Sequence, residues 1–150
     1  MTNLTDLTLT ETIKGLENKE FTSVDVTTAY LKNMEEKRRL NAFITETPEH
    51  AIEMAKASDE RRAQGKAGKL EGVPLAIKDM FCTKGIRTTA ASRILSNFVP
   101  PFEATTTERL WNAGAVCLGK TNTDEFAMGS STITSYFGVT KNPHDETRVP

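Results

Sequence analysis

Gly72-Val73-Pro74-Leu75-Ala76-Ile77-Lys78-Asp79 is the stretch that decides how this chain is read. A short apolar run, opened by Gly and Pro and closed by a lysine, predicts a buried strand. An ammonium at the inner end of such a strand is costly unless paired or neutral, because desolvation disfavours the charged form. Lys78 therefore has two readings. In one, its pKa is lowered and it abstracts protons. In the other, it reaches the surface and pairs with Asp79.

Upstream of this strand the pattern is helical. Thr8 and Glu11 have the spacing of a capping box, and Leu9, Ile13 and Leu16 form one apolar stripe behind them. Thr22 and Asp25 repeat the device and predict a second helix to about Leu40, with Val26, Ala29, Tyr30 and Met34 inward. Its far end, Glu35-Glu36-Lys37-Arg38-Arg39, reads as a solvated charged face. Ala42 to Thr45 predict a short strand. Thr47-Pro48 opens a third helix carrying Ala51, Met54, Ala55 and Ser58 on one face and stopping near Gly65.

Downstream, Ser92 is expected to cap a short helix to Asn97. Thr105 with Glu108 is expected to cap another, ended by Gly114, before a small buried strand over Ala115–Leu118. Helices alternating with buried strands predict an α/β fold with some parallel pairing, helical over 1–70 and made of sheet and loops over 71–150. The stretch Lys120 to Thr132 is polar, rich in small hydroxyls and comes off a strand end. Ligand loops of α/β proteins occupy such places, though Ser and Thr also make plain surface turns.

The totals narrow the function. The chain has 150 residues, 19 basic and 20 acidic side chains, and a net charge of −1, without the basic footprint of a nucleic-acid module. Cys82 and Cys117 are too few and too far apart for a disulfide framework or a zinc set. His50 and His144 lack partners at ligand spacing. Phosphate-loop, dinucleotide and Gly-x-Ser-x-Gly motifs are absent. With neither a signal-peptide pattern nor an apolar run of spanning length, a cytoplasmic setting is expected.

Gly72–Asp79, Cys82–Thr89, Gly119–Asn122 and Asp124-Glu125-Phe126-Ala127-Met128-Gly129-Ser130-Ser131-Thr132 together resemble the amidase signature family. Within it they are most similar to the amide-hydrolysing subunits of glutamine-dependent amidotransferases that act on glutamyl-tRNA. The resemblance implies a mixed sheet flanked by helices and a Ser–cis-Ser–Lys triad that cleaves an amide. Lys78 matches the lysine, which takes a proton from a serine held by a cis peptide; that serine relays it from the nucleophilic serine. Burial behind Val73, Leu75 and Ile77 is expected to keep Lys78 neutral. Met128, Gly129 and Ser130 match the lining of the glutamine pocket. Ammonia then passes to a B-type subunit, where tRNA-linked glutamate is activated by ATP with Mg, and a C-type subunit makes up a heterotrimer. This chain itself is implied to carry no cofactor, and tRNA is contacted mainly through the B-type partner.

The resemblance covers all of this chain but only the first third of the family's length. The family's glycine- and serine-rich stretch follows Arg148-Val149-Pro150, so of the triad only Lys78 is expected here, and these residues alone are expected to be inactive. Met80, Ile133, Thr134 and Tyr136 depart from the usual pattern and bear on details of the pocket. Two alternatives stay open: a general amidase for small amides, and a non-catalytic docking half with an unpaired strand edge or exposed apolar face.

Overall fold

The computed structural model describes residues 3–150. Four helices, α1 (Leu9–Glu17), α2 (Ser23–Glu36), α3 (Pro48–Ala63) and α4 (Thr105–Asn112), accompany three strands, β1 (Phe43–Glu46), β2 (Pro74–Lys78) and β3 (Val116–Thr121). The sheet order is β1-β3-β2. β1 runs antiparallel to β3, pairing Phe43 with Thr121 and Glu46 with Gly119. β2 runs parallel to β3. Val116 N–H donates to Val73 O at 2.8 Å, and Asp79 N–H to Thr121 O at 3.0 Å, so both strands climb together. The fold is therefore mixed α/β, as expected. β2, predicted as a buried strand, lies at the edge and is only partly buried, and β3 takes the middle.

The chain divides into two compact units. The first comprises residues up to Glu36, Thr47–Leu75 and Arg109–Leu118; the second comprises Lys37–Glu46, Ala76–Glu108 and Gly119–Pro150.

The first unit is built on apolar burial. Leu16, Val26 and Val73 form its core, joined by Ile13, Phe21, Tyr30 and Leu75. The capping box at Thr8 and Glu11 is present, and Thr22 and Asp25 exchange the equivalent bonds. Asp59 of α3 accepts from Ser23 N–H at 2.8 Å and Val24 N–H at 3.2 Å, satisfying donors that the start of α2 leaves open. Ala51, Ala55 and Ser58 are buried on one face of α3, as its spacing predicts. Glu71 is buried, receives Arg61 Nε and Nη2 on Oε1 at 3.0 and 2.7 Å, and accepts Gly68 N–H on Oε2 at 2.9 Å.

The second unit inverts this pattern. Among the described residues its buried apolar side chains are Leu40, Ile77, Ala91 and Pro100 alone. Buried Asp79, Thr83, Thr88, Thr89, Ser92, Thr107, Lys120, Thr123, Asp124, Thr132 and Ser135 fill the interior instead. Large apolar residues lie outside: Ile94, Met128 and Ile133 are 80%, 81% and 70% exposed.

Four local expectations are corrected. α2 stops at Glu36 because the charge run leaves no apolar residue to carry the stripe until Leu40, which turns inward on a separate 3-10 turn closed by left-handed Asn41. The run itself is exposed, with Arg38 paired to Glu46 and Arg39 to Glu146. Ser92 starts no helix. Ala90 and Ala91 before it are left-handed, and its hydroxyl serves Glu125 and Ile94 N–H instead of a cap. Thr105 is the first residue of α4 and not its cap. β3 outruns its apolar stretch and ends at Thr121, because partners described below neutralise Lys120 inside it.

Candidate active site

Lys78 closes β2 with its side chain exposed, at the surface as the second of its two readings has it and contrary to the burial that the resemblance implies. The cause is strand alternation. Ile77 and Asp79 turn into the interior, so Ala76 and Lys78 turn out. Among the described residues the Lys78 ammonium has no hydrogen-bonding or ionic partner, and Asp79 does not pair with it.

Asp79 is instead fully buried with Lys120. The Lys120 ammonium stands 3.7 Å from Asp79 Oδ1, both side chains being 0% exposed. It donates to Phe81 O and Thr88 Oγ1, each at 2.7 Å. Asp79 Oδ2 accepts from Thr89 N–H at 2.9 Å and Thr89 Oγ1 at 2.5 Å. Thr88 and Thr89 thus bind opposite ends of one buried ion pair. The network fixes the backbone that carries Lys78.

The loop bearing Met128, Gly129 and Ser130 is exposed and hangs on a second carboxylate. Asp124 Oδ2 accepts from Ser131 N–H at 3.0 Å and Thr132 N–H at 2.9 Å. Its Oδ1 accepts from Thr134 N–H at 3.3 Å and Thr134 Oγ1 at 2.8 Å. The Thr132 N–H and the Thr134 hydroxyl, against the opposing effect of burial, hold this carboxyl below the usual aspartate range. A Cβ on Gly129 would lie 2.4 Å from Asp124 Cγ, so any side chain there would push the carboxylate off its partners. Phe126, Ala127 and Thr132 are left-handed at φ 52°, 59° and 59°.

Lys78 and the loop meet through Ala90. Its N–H donates to Asp79 O and its carbonyl accepts from Phe126 N–H, each at 2.8 Å. The residue after Lys78 and the turn before Met128 are therefore held by one left-handed alanine. Met128, Gly129 and Ser130 share one loop, and no hydrogen bond or ion pair joins them to Lys78 among the described residues. Sequence reading missed Lys120, Asp79 and Asp124 as organisers. The signal for the first two is a lysine and an aspartate at the ends of adjacent apolar strands, each needing a buried counter-charge.

The Amidase family model matches residues 25–150. The chain belongs to the amidase family. This amidase chain is 61% identical over 143 residues to the A-type subunit of glutamyl-tRNA(Gln) amidotransferase from Xanthobacter autotrophicus, covering 95% of the chain and 29% of that protein. It is 55% identical over 150 residues to the same subunit of Paramagnetospirillum magneticum, covering 100% and 31%. Among solved structures, it is similar to a chain of a vestigial complex that reveals the evolutionary origins of an s-triazine catabolic enzyme (37% identity, TM-score 0.90, 95% of this chain and 32% of that one). It is also similar to native peptide amidase from Stenotrophomonas maltophilia (33%, TM-score 0.84, 93% and 30%) and to the A-type glutamyl-tRNA(Gln) amidotransferase subunit from Thermotoga maritima (36%, TM-score 0.75, 100% and 30%). The amidase chain thus spans about 30% of the length of the relatives it matches.

Proposed function

We propose that this chain serves glutamine hydrolysis in a glutamyl-tRNA(Gln) amidotransferase, as the N-terminal portion of its A-type subunit. One observation carries the reading: identity of 55–61% to curated subunits of that kind across 95–100% of the chain. Lys78 is the base of the triad, and Met128, Gly129 and Ser130 line the amide-donor pocket. Ammonia released there goes to glutamate on tRNA(Gln), activated with ATP and Mg on the B-type subunit. The C-type partner makes up the heterotrimer, and the setting is cytoplasmic.

The logic of the lysine survives its exposure. A general base must meet its serine partner, and an ammonium at an open strand end is accessible to hydroxyls brought by further polypeptide. Packing that polypeptide on the second unit would bring hydroxyls to the open end of β2, where Lys78 stands. The apolar exterior of this unit supports such a cover: large exposed apolar patches mark surfaces that bind. Residues 1–150 then form one part of a single amidase domain and are inactive alone, for want of the nucleophile.

The test is glutamine hydrolysis by the full-length protein in complex with its B-type and C-type partners. Lys78→Ala should lower kcat on the order of 10²–10⁴-fold, and the isolated chain should show no turnover. Turnover by the isolated chain that disappears with Lys78→Ala would overturn the claim of inactivity. A second reading, hydrolysis of small amides without tRNA, draws on the higher TM-score to the peptide amidase than to the A-type subunit. Failure to copurify with a B-type subunit would favour it.

A further inference from the structure

We propose that Asp124 is the positioning residue that shapes the amide-donor pocket, holding the Met128–Gly129–Ser130 loop by bonds to the residues behind it. The proposal rests on the glutamine-hydrolysis reading above.

Three observations converge. All four bonds to the Asp124 carboxylate come from Ser131, Thr132 and Thr134, and both oxygens are occupied. The carboxylate is thus committed to the loop and is not offered to substrate. Gly129, the middle residue of the expected lining, lies directly over it, so that a Cβ there would force the carboxylate to shift. The loop also departs from relaxed backbone: Ala127 N–H donates to Asp124 O at 2.8 Å, and Thr132, left-handed at φ 59°, donates to the carboxylate. Left-handed non-glycine residues persist only where surrounding bonds over-determine them, and they gather at ligand sites. Here Ala90 O holds Phe126 from before the loop, and the Asp124 carboxylate holds Ser131, Thr132 and Thr134 behind it. Residues that preset a pocket's shape lower the ordering cost of binding.

Asp124→Asn keeps size but places an NH2 against N–H donors on one side. Thr134→Val removes the hydroxyl that donates to Asp124 and accepts from Glu125 N–H, and keeps the Thr134 N–H bond. Gly129→Ala crowds the carboxylate from the opposite face. The full-length protein in its complex is assayed for glutamine KM and kcat and for amidation with ammonia supplied directly, which bypasses the pocket. Charged hydrogen bonds of this kind lead us to expect KM to rise roughly tenfold or more in Asp124→Asn, with kcat changed less and the ammonia-driven rate kept. Thr134→Val and Gly129→Ala should move KM in the same direction. Should Asp124→Asn lose the ammonia-driven rate as well, these two variants decide the matter by the same criterion. An unchanged KM, with hydrolysis intact, would overturn the role of Asp124 and leave the glutamine reading standing. Absence of Lys78-dependent hydrolysis in the wild type would overturn both.

Discussion

Replacing Lys120 by methionine removes a charge from the interior while nearly keeping its shape. The wild-type ammonium stands 3.7 Å from Asp79 Oδ1 with neither side chain exposed. At an effective dielectric constant of about 20, two unit charges at that separation attract by roughly 4–5 kcal/mol. Two further bonds, to Phe81 O and Thr88 Oγ1 at 2.7 Å, are charge-assisted. Against this stands the cost of drying the ammonium, which Met does not incur. The uncompensated loss falls on Asp79, whose Oδ1 has no hydrogen-bond donor and would face an apolar group. Breaking a buried pair from one side typically costs about 3–5 kcal/mol, a large share of a total stability of roughly 5–15 kcal/mol. Urea unfolding followed by far-UV circular dichroism measures it. Lys120→Met should lower the unfolding free energy by that amount, through the midpoint and without changing the slope. Adding Asp79→Asn should restore part of the loss, giving a coupling of about 1–3 kcal/mol in the double-mutant cycle. A cost below about 1 kcal/mol, or strict additivity, would refute the pairing.

Gly114 follows α4 at φ +92°, and a Cβ there would lie 2.5 Å from Glu71 Oε2, so Gly114→Ala should destabilise by about 2–4 kcal/mol in the same assay. Stability should hold from neutral pH to about 4.5, the ordinary glutamate value, and fall below it. Burial pushes Glu71 up, but the Arg61 guanidinium and Gly68 N–H outweigh it and hold the pKa lowered. A folded pKa below the unfolded one contributes stability above the unfolded value and loses it as pH falls through the folded one. Asp25 and Asp124 are lowered too, from 3.8, by the Thr22 hydroxyl and the Thr132 N–H respectively, and extend the loss further into acid; thermal melts across this range check the sign.

What is legible in the sequence is local. A cap and its partner lie three residues apart, so Thr8 with Glu11 and Thr22 with Asp25 announce α1 and α2 before any tertiary contact exists. The same holds for the buried face of α3, which repeats with the helical period. Both belong to the first unit, where apolar residues fill the interior. In the second unit the interior is hydroxyls, carboxylates and one ammonium, and nothing in a polar stretch announces that it is buried. Thr105 and Ser92 show the consequence: each looks like a cap, yet neither caps a helix, and a long-range partner, Glu125, takes the hydroxyl of Ser92.

The two lysines exchange the places that the resemblance and the local sequence suggest for them. The apolar run leaves Lys78 either buried or at the surface, the family resemblance implies burial, and nothing suggests burial of Lys120, where the sequence turns polar. The structure buries Lys120 and exposes Lys78. Alternation along β2 sends Ile77 inward and Lys78 outward, so the apolar character of the run says nothing about the face on which the lysine stands. Asp79, one residue on, shares the face of Ile77 and needs a cation, which β3 supplies from its own inward face. Burying Lys120 with Asp79 anchors the end of β2 and leaves Lys78 as the exposed cation there. A base must be held firmly and yet remain reachable. On the proposed reading of Lys78 as the base, the division of labour between a structural lysine and an exposed one meets both demands on two adjacent strands. Lys120→Met should therefore impair glutamine hydrolysis as well as stability, in complexes that still assemble, whereas Lys78→Ala should impair hydrolysis and leave the unfolding free energy within about 0.5 kcal/mol of wild type.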